Sequence, residues 1–141
     1  MIRSASMMIV LSALLLSVPF GCAEDREHPT PTTDSDRLME LYLAKVEKIG
    51  SLLKGVTNES QAKAVTAEVL LIVQDMRELI PKMKQFSDKE QADTVSKYRV
   101  RIRKVNEQFA KDVENFVAIP GASEELIHQL KNLPPLTDGE P

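Results

Sequence analysis

The chain has 141 residues, with 18 Lys and Arg against 21 Asp and Glu, a formal charge of −3 at pH 7. This mild acidity provides no basic stripe for a nucleic-acid backbone, so nucleic acid is not an expected partner. One cysteine cannot form an internal disulfide, and a chain with no Trp, two Tyr and four Phe must build an aliphatic core rather than an aromatic-lined pocket.

The chain opens with one charge, Arg3, followed by an apolar run from Met7 to Val18 and then Pro19-Phe20-Gly21-Cys22. A basic start, a short hydrophobic stretch and a small residue before a cut make an export signal. The run is shorter than the roughly 20 apolar residues needed to span a bilayer. The placing of Cys22 after Gly21 resembles the lipobox of bacterial lipoproteins, a resemblance confined to residues 1–22. Pro19 and Phe20 depart from the usual lipobox pattern. The resemblance implies a signal peptide over 1–21, a diacylglyceryl group on the Cys22 thiol and cleavage just before it, giving a membrane-anchored protein of the cell envelope. Gly21-Cys22-Ala23 also fits a small-x-small site. Cleavage after Ala23 gives the alternative, a soluble exported protein.

Residues 22–34 read as a flexible tether, because Pro29 and Pro31 exclude regular helix. A first helix is predicted from Ser35 to Lys54, capped by Asp34, with Met39, Tyr42, Val46, Ile49 and Leu53 at 3-4 spacing. Gly55 suits the turn that closes it. A second helix, capped by Thr57 or Asn58, carries an unbroken 3-4 stripe from Ala62 through Val69, Ile72 and Met76 to Phe86. Its stripe is wide, as expected of a helix between two neighbours, and Pro81 predicts a kink. Ser87-Asp88-Lys89-Glu90 forms a capping box that opens a third helix to about Ala118. Tyr98–Arg103 alternates like a strand, but the helical period holds on both sides and no second strand exists to pair with it. A short fourth helix is predicted over Glu124–Asn132, capped by Ser123, with Leu126, Ile127 and Leu130 on its apolar side. It is expected to cover a groove that the first helix is too short to fill.

The expected fold is therefore all-α, an antiparallel up-down-up three-helix bundle over 35–132 with a short fourth helix and a disordered tail over 133–141. Val69, Ile72, Met76, Ile102, Val105 and Phe109 are expected among its most buried side chains.

Candidate chemistry is sparse. His28 and His128 lack metal-ligand spacing, and there is no phosphate loop, nucleophile elbow or haem-attachment motif, so no metal, cofactor or catalysis is expected. In outline the exported bundle is similar to periplasmic four-helix b-type cytochromes. Met39 and His128 occupy places broadly like the haem ligands there, which implies haem as the alternative small ligand. The one dense charge feature is Lys97, Arg99, Arg101, Arg103 and Lys104, a candidate contact for anionic headgroups or envelope polymers. The expected role is structural or partner-binding, with an unidentified envelope protein or polymer as partner and the membrane held through Cys22.

Overall fold

The structure is a computed structural model that describes residues 28–134 and 136. The signal segment, Cys22 and the first part of the tether lie outside the described residues. Among the described residues the regular structure is four helices: α1 Asp34–Lys54, α2 Glu59–Met83, α3 Asp88–Val117 and α4 Glu124–Lys131. No strand occurs among the described residues, and the alternating stretch at Tyr98–Arg103 is helical.

Each helix begins where a side chain satisfies its free amides. Asn58 accepts from the amide of Gln61, and Ser123 from that of Leu126. Ser87 and Glu90 close a reciprocal capping box on α3. α1 differs from its expected start. The cap is Thr33 rather than Asp34, again in a reciprocal box, with Asp36 in the third position. An Asp at that position reaches back to the cap amide as a Glu would. α2 continues for two residues beyond Pro81 and stops at Met83, so Phe86 lies in the following turn, half buried.

α1 is the common wall of the fold. It packs most extensively on α3 and next on α2, while α4 rests on α2 and α3. Along α1 and α3, Ser35 meets Thr94, Asp36 meets Lys97 and Glu47 meets Arg101, numbers ascending together. Along α1 and α2 the order reverses, with Lys45 paired to Asp75 at 2.7 Å and Lys48 to Glu68 at 3.0 Å. α2 and α3 are consecutive yet make at most a glancing contact, so a trough runs between them with α1 as its floor. The second neighbour of α2 is therefore α4 and not α3. α4 lies in this trough, on the two helices beside it rather than against α1.

The core is aliphatic with three buried aromatic rings, Tyr42, Tyr98 and Phe116. Leu43, Ile49, Val69, Met76, Tyr98, Ile102, Phe116 and Leu126 are fully enclosed. Burying side chains of this size contributes roughly 1.5–3 kcal/mol each. Of the six residues expected deepest, five are buried, and Phe109 is only half buried. Phe109 stands where two clefts open beside α3, so one side of its ring lacks a covering neighbour.

Both ends of the bundle extend beyond the expected boundaries. Pro29 is buried, and Thr32 bonds to Asp36 through its amide and hydroxyl, each at 2.9 Å. This part of the expected tether is therefore built into the fold. At the other end, Leu133 and Leu136 pack on the core, while residues 135 and 137–141 of the expected tail lie outside the described residues. Their aliphatic area and two side-chain hydrogen bonds to the backbone, described below, offset the ordering cost that the prolines already lower.

Candidate functional site

Two features could carry function: a polar seam between α1 and α3, and the apolar trough between α2 and α3.

The seam is built by carboxylates on one face of α1 and cations on the facing side of α3. Arg101 is 4 % exposed. Its Nε and Nη2 donate to the two oxygens of Glu47 at 3.1 and 3.0 Å, and its Nη1 donates to Glu40. A two-pronged guanidinium–carboxylate contact fixes direction as well as distance. Burial opposes the charge on Arg101, but the bonds to Glu47 and Glu40 prevail and raise its pKa above the ordinary value.

One turn earlier, Lys97 Nζ donates to Asp36 and to Thr32 Oγ1 at 3.1 Å. Asp36 Oδ2 also accepts from the amides of Thr32 and Thr33 at 2.9 and 3.2 Å, while Oδ1 accepts from Thr94 at 3.2 Å. Burial alone would raise the pKa of this carboxyl. The bonds from Lys97, Thr32 and Thr33 reverse that and hold it well below the usual carboxylate range.

The Tyr98 ring is fully enclosed between these two clusters. Burial first, then the charges of Glu40 and Asp36, push its phenol up to about 12 against the opposing pull of Arg101. Its hydroxyl and the second oxygen of Glu40 are both sealed from solvent without a hydrogen-bond partner of good geometry. They are complementary, one a donor and the other an acceptor. None of these shifts brings a proton donor or acceptor toward neutral pH, so the seam holds fixed charges.

Further along, the Asp112 side chain of α3 lies against the backbone of α1 at Gly50. A Cβ there would stand 2.8 Å from Asp112 Oδ2. Asp112 is buried and accepts from Gln108 at 2.9 Å. Beside this point lies a cleft of about 310 Å³, with His28, Glu47, Lys104 and Asp112 in its walls.

The basic run of α3 is thus divided by the fold. Lys97 and Arg101 turn inward to α1, which removes Arg101 from any surface contact. Arg99, Arg103 and Lys104 remain exposed. The carboxylate bonded to Lys97 is Asp36, on α1 rather than on its own helix. The readable signal was a pair of acids seven residues apart, Glu40 and Glu47, flanking the apolar stripe of α1 as coiled-coil edge charges do.

The trough contains two apolar cavities. One, of about 540 Å³, lies between α3, α4 and the tail, with Phe109, Val113, Val117 and Leu130 in its wall. The other, about 280 Å³, lies toward the start of α3, with Met39, Ile80, Met83 and Val95. Tyr42, Pro134 and Leu136 belong to both. Met39 is buried and His128 is exposed on α4, and the two share none of these three cavities. No group of three or more His, Cys, Asp or Glu capable of holding a metal occurs among the described residues. No helix among them is long and apolar enough to cross a membrane. No protein-family model matches the chain, and no curated protein or solved structure matches it either.

Proposed function

We propose that this is a lipid-anchored protein of the bacterial cell envelope whose helical domain binds a partner and catalyses nothing itself. The address rests on the signal segment and on Cys22 following Gly21. The domain itself is an up-down-up bundle: α1 and α3 run together, α2 runs against them, and α4 turns back into the trough. Binding is carried by one observation. Between α1, α3, α4 and the tail, the described residues leave about 540 Å³ lined mainly by aliphatic side chains. The seam supports the non-catalytic part, since the pKa of Asp36 is pushed down and those of Tyr98 and Arg101 are pushed up, all away from neutral pH.

Two experiments test this reading. Cys22→Ser should move the protein from the membrane to the soluble fraction or leave it uncut, because two or three acyl chains anchor stably where none remains. Mass spectrometry that finds Glu24 as an unmodified N-terminus would contradict the anchor. A photo-crosslinking residue at Ala110, beside the larger cavity, should give one discrete adduct in intact envelope, and the same group at exposed Ala64 on α2 should not. Equal adducts from both positions would contradict a partner held in the trough.

Anionic-surface contact is proposed for the exposed members of the basic run, Arg99, Arg103 and Lys104, with Lys97 and Arg101 assigned to the seam.

A further inference from the structure

We propose that the trough is a groove for an extended, leucine- and proline-bearing peptide segment of a partner protein. Leu133, Pro134 and Leu136 occupy it in cis as a displaceable stand-in. This deepens the partner-binding reading and rests on it.

The contacts that hold the tail show what the groove recognises. Tyr42 Oη donates to the carbonyl of Pro134 at 3.0 Å, and Asn106 Nδ2 donates to the carbonyl of Leu136 at 2.9 Å. One donor comes from α1 and the other from α3, on the floor and one wall of the trough. Both read main-chain carbonyls, which every peptide carries, while apolar side chains enter the cavities alongside. That division of labour is how grooves accept extended segments: backbone bonds give affinity and pockets give preference. A proline-bearing ligand loses less entropy on being held extended.

An acyl chain is the competing occupant, and the same two donors disfavour it. A hydrocarbon offers no acceptor, so it would strand the hydroxyl of Tyr42, a side chain only 3 % exposed, and the amide of Asn106. The stand-in is held loosely. Leu133 and Leu136 are half buried, Pro134 is exposed, and unfilled volume remains on either side of them. A partner segment that reaches further into that volume would gain contacts that Leu133, Pro134 and Leu136 do not make.

The test uses the mature full-length chain and a synthetic peptide of the tail sequence, Asn-Leu-Pro-Pro-Leu-Thr-Asp-Gly-Glu-Pro, followed by NMR chemical shifts. Leu133→Ser with Leu136→Ser in the full chain weakens the stand-in without shortening the protein. This variant should bind the peptide with a Kd on the order of 0.1 mM or tighter, and the parent about tenfold more weakly, because a tethered segment competes at about 1 mM effective concentration. Shifts should centre on the Asn106 side-chain amide and the Val113 and Val117 methyls, and adding Tyr42→Phe should weaken binding severalfold.

A variant that keeps the parent's helical melt but shows no shifts up to about 10 mM peptide, well above that effective concentration, would overturn the proposal. So would equal affinity of parent and variant. Dimerisation of the variant with concentration would assign the groove to a second copy, and displacement of the peptide by palmitate would assign it to a lipid. Either outcome also overturns the proposal. Failure of the anchor would appear in fractionation, and failure of the partner reading would appear as equal crosslinking at Ala110 and Ala64. Neither result changes the titration.

Discussion

The two sides of α1 solve the same packing problem with different chemistry. Against α3 it presents Asp36, Glu40 and Glu47, each met by a named cation, and at Gly50 it lets Asp112 approach its backbone. Toward the trough it presents Met39, Tyr42 and Val46, covered by a short piece of tail beside an eight-residue fourth helix, with volume left between them. Charges and close contacts admit one register. Aliphatic surface with main-chain hydrogen bonds admits many occupants. The seam therefore specifies the fold, and the trough is left for binding.

Substitutions of graded severity test this contrast. The largest loss belongs to the seam. Arg101→Ala leaves Glu40 and Glu47 facing each other without a cation and should cost about 3 kcal/mol, at the lower end of the range for broken buried pairs because both acids are partly exposed. Arg101→Lys should recover only part of this, since an ammonium cannot make the two-pronged contact with Glu47. Urea denaturation of both variants measures the difference, and a parent-like midpoint for Arg101→Ala would remove the seam from the account.

Gly50→Val comes next. Alanine at this position would gain up to about 1 kcal/mol of helix propensity over glycine. Any Cβ, however, meets Asp112 Oδ2 at 2.8 Å, and branching enlarges the clash. A net loss of about 1–3 kcal/mol, as for other overpacked sites, is expected in thermal melts. The trough variant Leu133→Ser with Leu136→Ser should cost less, about 1–2 kcal/mol, because both side chains are only half buried. Arg99→Gln with Arg103→Gln should fall within about 0.5 kcal/mol of the parent while weakening salt-sensitive attachment to anionic vesicles.

Stability against pH should also be dominated by the seam. Asp36 has a folded pKa below its unfolded value of 3.8, so its contribution is present above that pH and is lost as pH falls toward the folded pKa. Tyr98 acts at the opposite end. Its folded pKa of about 12 exceeds the ordinary value of 10.0, so the folded state binds more protons between these values and stability falls as pH rises through that window. Asp36→Asn should flatten the acid limb, and Tyr98→Phe the alkaline one. Stability profiles from urea titrations across pH would show whether each limb moves independently.

Much of the fold was legible in sequence because it depends on local rules. The 3-4 stripes located all four helices, and Ser87 with Glu90 marked the start of α3 to the residue. Thr33 was missed as the cap of α1 because Asp34 beside it is an equally good capping residue. The Thr33-x-x-Asp36 spacing carried the signal. What sequence could not give was long-range. Arg101 reads as one of five surface cations until α1 is placed beside it. The tail reads as disorder because its composition is rich in proline, while the donors that hold it lie 92 and 30 positions away. Phe109 satisfies the helical period as well as Val105 does, but periodicity is blind to a gap left by a neighbour that is too short.

Native-state hydrogen exchange resolved by residue compares the two sides of α1 in a single measurement. The account predicts that amides in the middle of α1 and α3 exchange only through global unfolding, while those of α4 open by a local route at markedly lower free energy. Protection in α4 equal to that of α1 would mean that the trough is closed as firmly as the seam, contradicting the distinction on which the binding reading depends.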